Sequence, residues 1–455
     1  MAEERTTRLD PIASLRYSGY LLYLIGSVLS NAGGQMRNVA ATWEIYQRAR
    51  TPLSLGLIGL VLALPVIFLA LPAGMLADRY SRRSLIMWAQ SGLALCGLGL
   101  AWASATHAPL PIMYLLLFGT GVFRALGWPA ATAIVVGLVP ARIFPNAAMW
   151  RSVGYQISFT LGPLLGGLLL SYFTVKDSEA WQIAATPISL LFSPFLGGAI
   201  SAWSIHSLTF WVYLIDAASS VILIFCLFFV HPAPQEKHAE PHSWKALMDG
   251  IRFVRRNPII LSTITLDMVA VLFGGVTALL PIYATDILHV GPTGFGWLRA
   301  MPSFGAICMA LLLAMSPPFK HAGRTLLFAV AAFGLATIVF GFSRSYPLSL
   351  AALFALGAAD NISVVVRATV VQLLTPDSMR GRVSAVNVIF IGTSNEIGEL
   401  ESGLAAQWLG LLPAVVGGGV MTLLTVAAVT RIWPELPRLG SLEHLEPAEP
   451  VEVTA

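Results

Sequence analysis

Apolar residues run along this chain in long blocks divided by brief polar punctuation, and the blocks have helical rather than strand-like length. About 20 apolar residues, at 1.5 Å each, cross ~30 Å of hydrocarbon as a helix, so each block is a predicted membrane span. The first set falls near residues 18–44, 54–77, 85–104, 110–138, 147–173 and 207–230. The second falls near 259–285, 295–316, 324–342, 347–374, 383–409 and 411–432. The expected fold is therefore all-α and polytopic, with about 12 transmembrane helices in two bundles of six.

The polar breaks set the organisation. The longest hydrophilic stretch between spans, 231–258, lies near the middle and reads as a linker that leads into an amphipathic helix, Trp244–Arg255. It separates an amino-terminal bundle (1–230) from a carboxy-terminal bundle (259–433), and an acidic tail follows at 434–455. Residues 186–206 are apolar enough to tempt a thirteenth span, but a further crossing would move the basic segment Lys245–Arg256 to the opposite face. They are read instead as part of an inserted outer loop, 174–206, broken by Pro187, Pro194 and Gly197-Gly198; a re-entrant segment and a surface loop both remain open.

Composition agrees with a lipid environment. Hydrophobic residues make up 56% of the chain and charged ones 11%, with a mean hydropathy of +0.75, against about a quarter charged in an ordinary soluble domain. Of the 27 Lys and Arg residues, 19 fall on one side if both termini lie inside. Short basic loops stay cytoplasmic, so this bias predicts a multi-pass protein of the cell (inner) membrane with both termini cytoplasmic. The net charge of +4 then reflects topology and points to the bilayer, with no nucleic-acid partner. The first apolar block has no cleavage site behind it and is expected to be retained. Cys96, Cys226 and Cys308 are dispersed through apolar spans, which excludes a disulfide framework and a metal centre, and no cofactor is expected.

A weak internal repeat links the bundles. At an offset of 236 residues, Leu117-Phe118-x-x-Gly121 lines up with Leu353-Phe354-x-x-Gly357, and Pro140, Gly162 and Gly167 line up with Pro376, Gly398 and Gly403. Gly and Pro carry backbone constraints, so their agreement indicates a parallel repeat of the transporter kind.

The turn Gly74-Met-Leu-Ala-Asp78-Arg79-Tyr-Ser-Arg82-Arg83 resembles the signature loop of the major facilitator superfamily, which joins the second and third helices. It departs in having Ser81 where a glycine is usual. Trp43-Glu-Ile-Tyr, Arg380-Gly-Arg-Val-Ser-Ala-Val-Asn and Ile391-Gly-Thr-Ser-Asn-Glu-Ile-Gly-Glu are similar to the enterobactin-exporter-like (transmembrane secretion effector) branch. The resemblance implies the major facilitator fold and a conformational latch of Gly74, Asp78, Arg79, Arg82 and Arg83, with Asp78 reaching the eleventh helix near Arg382. Gly162-Pro163-Leu-Leu-Gly166-Gly167 is similar to the antiporter motif of that family, and helix packing is its other reading. Arg124 resembles an intramembrane arginine implicated in proton transfer or anion binding.

Ionisable side chains inside a bundle are costly and therefore functional candidates. Asn31, Gln35 and Asn38 form a polar stripe on the first span, and Arg37 and Glu44 share another face; these line the expected substrate cavity with Trp128 and Tyr155. Glu44 has a second reading, at the outer interface beside Arg48. The repeat maps Arg124 onto Asp360, so the two are expected to present opposite charges to the centre. Glu396 and Glu399, three apart on one face of the eleventh span, are the leading proton-coupling candidates, with Asp360, Arg124 and Asp267 behind them. Binding of a cationic substrate is their alternative role. Asp216 is expected to hydrogen-bond to neighbouring helices.

The expected function is secondary active transport: proton-coupled efflux of an amphipathic small molecule, drug-like or siderophore-like, by alternating access in a monomer. A metabolite importer of the same fold is the alternative, and a lipid-remodelling membrane protein a remote one. No Gly-x-Ser-x-Gly, His-rich cluster or Walker loop marks an enzyme or an ATP-driven pump.

Overall fold

A computed structural model describes residues 12–175, 208–232, 244–316, 319–376 and 379–441. Most of the inserted loop 174–206, the linker before residue 244 and the tail beyond residue 441 lie outside the described residues. Among the described residues, six α-helices form the first half: α1 (Ser18–Ala49), α2 (Pro52–Arg79), α3 (Arg82–Ala105), α4 (Leu110–Ala133), α5 (Phe144–Val175) and α6 (Leu208–Phe228). The amphipathic α7 (Trp244–Arg256) leads into the second half. That half contains α8 (Pro258–Phe273), α9 (Val276–Ile282), α10 (Gly291–Ala314), α11 (Ala322–Phe342), α12 (Tyr346–Leu374), α13 (Arg380–Leu409) and α14 (Leu411–Ile432).

Among the described residues, ten crossings are long and apolar enough to span a membrane by composition alone. The other two of the twelve are α1 and α13, 32 and 30 residues long, which carry Arg37 and Glu44, and Glu396, Glu399 and Glu401. The chain is a multi-pass membrane protein, and its two least apolar crossings hold most of the polar candidates.

Local chemistry sets the helix ends. Pro52 and Pro258 open their helices at positions where the missing N–H is not needed. Asn257 caps α8 by accepting from the backbone N–H groups of Ile259 and Ile260, both at 3.2 Å. Ser81 caps α3, its Oγ accepting from the Ser84 N–H at 3.2 Å. The signature turn therefore shrinks to Tyr80-Ser81, and the serine that replaces the usual glycine acts as a helix start.

The expected seventh span, 259–285, is seen as one crossing, Pro258–Ile287, interrupted at Gly274-Gly275 between α8 and α9 and ending in a π-turn, Tyr283–Ile287. A Cβ on Gly275 would lie 2.7 Å from the Gly398 carbonyl, so close approach of α13 to this break requires glycine.

Within the first half, α1 packs on α5 and α6, α2 on α4, and α3 on α4 and α6. In the second, α10 packs on α12, α11 on α12 and α14, and α8 on α13 and α14. Two seams join the halves, α2 on α13 and α5 on α10. The repeat exchanges α2 with α10 and α5 with α13, so these seams are symmetry mates.

The seams close on the face away from the termini. There Trp43 stacks on Phe295 with ring centroids 5.7 Å apart, and one buried cluster draws on both halves, from Met36, Leu55 and Leu62 to Phe295, Leu356 and Ala406. Toward the terminal face the apolar core divides. One cluster belongs to the first half, around Tyr20, Ile86 and Leu227, and another to the second, around Ile264, Val370 and Val383. The halves meet at the far face and part at the terminal face.

Candidate functional site: a mid-membrane cavity and its charged rim

The cavity lies in the first half, between α1, α3, α4, α5 and α6. Asn31, Gln35, Arg37 and Asn38 from α1 line it, together with Arg124 and Trp128 from α4 and Tyr155 from α5. It reaches Arg151 and Thr132, near the terminal-face ends of their helices. Its aromatic wall is ordered by contact: Trp128 meets Tyr155 edge-on at 6.0 Å, and Tyr155 tilts on Phe159 at 4.4 Å. Gln90 joins the polar lining, with its Oε1 accepting from Ser30 Oγ at 3.0 Å.

Glu44 is not among these lining residues. It is buried toward the far face, paired with Arg48 and accepting from Tyr213 Oη at 3.0 Å. Of its two readings, the position beside Arg48 is the one seen. Seven residues separate it from Arg37, about two turns, which moves it out of the cavity along the same helix.

Two buried ion pairs lie inside the halves. Arg37 Nη1 donates to Asp216 Oδ2 at 2.8 Å, linking α1 to α6 with side chains 8% and 1% exposed. Arg367 Nη1 lies 3.0 Å from Asp267 Oδ2, linking α12 to α8, and also reaches Asn387 Oδ1 at 3.3 Å. Asp360 is within electrostatic reach of Asp267 and Arg367.

Arg124 of α4 pairs across the seam with Glu396 of α13, and beside it, within the second half, Arg299 of α10 lies 3.8 Å from Glu399 of α13. Arg299 also donates to the Thr277 carbonyl at 2.9 Å, just past the break in the seventh crossing. A Cβ on Gly59 would lie 2.6 Å from Glu399 Cβ, so α2 passes directly over the two acids. Of the two opposite charges expected at the centre, Arg124 takes its partner from α13, while Asp360 lies by Asp267 and Arg367 within the second half. Residues related by the repeat occupy equivalent depths on opposite sides of the pseudo-twofold axis, and the helix facing α4 across the seam is α13.

The signature turn is engaged within the first half. Gly74 is buried in α2 and Arg79 is exposed at its end. Arg82 donates to the Ala133 carbonyl at 2.8 Å and Arg83 to the Phe228 carbonyl at 3.1 Å, tying down the ends of α4 and α6. The Asp78 side chain lies outside the described residues. Arg382 approaches Asp249 of α7 at 3.7 Å and Met379 Sδ at 3.6 Å, and a Cβ on Gly250 would lie 2.8 Å from the Arg382 carbonyl. The linker helix thus rides on the start of α13.

The Gly-Pro motif of α5 touches both halves. Gly162 and Gly166 pack on Ala32 and Met36 of α1. At the seam, a Cβ on Gly167 would lie 2.7 Å from Gly296 Cα of α10. Sequence reasoning missed Arg299 and Arg367 as partners of the candidate acids, although arginine inside an apolar block was the available signal. Among the described residues no group of three or more His, Cys, Asp or Glu could hold a metal ion.

The model of the transmembrane secretion effector family matches residues 9–193, and that of the major facilitator superfamily matches 179–398. The enterobactin exporter EntS of Escherichia coli O1:K1 / APEC is 25% identical over 374 residues, covering 80% of this chain and 82% of that protein. Its counterpart in Shigella boydii serotype 18 matches equally. Among solved structures, a bacterial homologue of the human lysosomal transporter Spinster, inward-facing and unoccupied, superposes with a TM-score of 0.73 at 17% identity. That match covers 93% of this chain and 98% of that one. A bacterial homologue of the iron transporter ferroportin, also inward-facing, gives 0.64 at 16% identity over 93% and 99%. With the fold and both halves of the chain accounted for, this protein is a transporter of the major facilitator superfamily.

Proposed function

We propose that the chain is a proton-coupled exporter of amphipathic small molecules, working by alternating access as a monomer. One observation carries this reading: Arg124, Glu396, Glu399 and Arg299 form a charged row across the seam, beside the cavity. Such a row joins the two bodies that must move apart, and its carboxylates can exchange an arginine partner for a proton as they do so. With the terminal face taken as cytoplasmic, the open side faces inward and the cavity loads from the cytoplasm. The exporter relatives favour outward transport over import.

The relatives' named molecule supplies the first probe. Everted vesicles with an acidic lumen should accumulate labelled enterobactin, and a protonophore should abolish accumulation. Accumulation that ignores the protonophore would remove proton coupling. Glu399→Gln should flatten the response to ΔpH; an unchanged response would take Glu399 off the coupling path. The latch reading adds Asp78→Asn, which should slow turnover with little change in thermal stability, and normal turnover would discard it.

A further inference from the structure

The cavity's charge has a sign. Three arginines and one carboxylate line it, and that carboxylate, Asp216, is already bound to Arg37. Arg124 is 41% exposed, and its partner Glu396 comes from the other half. Arg151 has no carboxylate partner among the described residues. Tyr155, one helical turn from Arg151, lies within reach of the Arg124 charge, so an aromatic ring adjoins both cations.

A cationic ligand entering here would meet net positive charge, with each nearby carboxylate engaged. An anionic ligand gains charge-assisted hydrogen bonds from Arg151 and from the accessible side of Arg124. Its apolar body can lie on Trp128, Tyr155 and Phe159.

We propose that this cavity binds an amphipathic organic anion, with a carboxylate, sulfonate or phenolate head between Arg124 and Arg151 and an aromatic body on the Trp128–Tyr155 wall. The proposal rests on the reading of the cavity as the transport site and names its ligand class. The anion competes with Glu396 for Arg124, so loading weakens a contact between the halves.

The test is a matched pair of ligands on the purified full chain in lipid nanodiscs, read by thermal shift and tryptophan fluorescence. 1-Naphthoate should bind saturably, and trimethyl(1-naphthylmethyl)ammonium should not. Arg151→Gln should weaken naphthoate binding about tenfold, the worth of one charge-assisted hydrogen bond, and Arg151→Lys should recover most of it. Glu396→Gln should tighten binding because it removes the competitor. Preferential binding of the ammonium compound, binding of neither, or an affinity indifferent to both Arg151→Gln and Glu396→Gln would overturn the proposal. Failure of the export reading looks different: naphthoate binding with these mutational effects, but no proton-driven movement in vesicles, leaves the ligand class standing and removes the export assignment.

Discussion

Two arginine–carboxylate pairs at similar depth behave as different kinds of object. Arg37–Asp216 joins two helices of the same half and is almost wholly buried. Arg124–Glu396 joins helices of opposite halves, and its arginine faces an open cavity. In low dielectric the first pair is held by the absence of any alternative for either charge. The second has water and, on the proposed reading, substrate to turn to. The contrast separates charges that build a half from charges that report where the halves stand, and exposure together with the identity of the joined helices tells them apart.

The largest effect is expected at the first pair. Asp216→Asn leaves Arg37 buried without its counter-ion, a change that costs about 3–5 kcal/mol in comparable sites. Thermal unfolding in detergent should show a clear drop, with Asp267→Asn behaving alike in the second half because Arg367 is 4% exposed. If both variants unfold like the parent protein, burial does not distinguish the two classes of pair.

The next effect falls on the far-face seal, which on the proposed reading both halves must form for the terminal face to open. Gly167→Leu places a side chain where even a Cβ would lie 2.7 Å from Gly296 Cα. Overpacking of this kind costs about 1–3 kcal/mol, enough to shift the conformational balance about tenfold. In a background without the native cysteines, Ala406→Cys, 4% exposed in the sealed cluster, should label faster with a membrane-impermeant maleimide added from the far side. Unchanged labelling would mean that the seam flexes around the new side chain and does not gate.

How much of this was legible beforehand depends on which physical signal carries each feature. Hydrophobic block length gave the crossings, most within a few residues of their observed ends, because lipid enforces one length scale. The break at Gly274-Gly275 was missed. Two glycines in an apolar run do not distinguish a tolerated helix from an interrupted one, and the deciding neighbour, Gly398, lies on another helix. Single-helix periodicity brought Asn31, Gln35 and Asn38 to one cavity wall. It could not supply the pairings. Arg124 with Glu396, Arg299 with Glu399 and Arg367 with Asp267 join residues far apart in sequence, and the repeat offset identifies symmetry mates, which are not contacts.

The smallest expected effect on stability is also the sharpest test of the opening contrast. A double-mutant cycle on Arg124→Gln and Glu396→Gln should give a coupling of about 1 kcal/mol or less, because partly exposed pairs are screened by water. The same cycle on Arg37→Gln and Asp216→Asn should give several times that, since each single variant there strands a buried charge. The Arg124–Glu396 pair should instead register in conformation. Without the Arg124–Glu396 bond, one link holding the halves at mid-membrane is gone, and spin-label distances across the terminal face should broaden while the unfolding temperature barely moves. A coupling at Arg124–Glu396 as large as at Arg37–Asp216, with unchanged distances, would place both pairs in the same structural class and leave the charged row without a moving part.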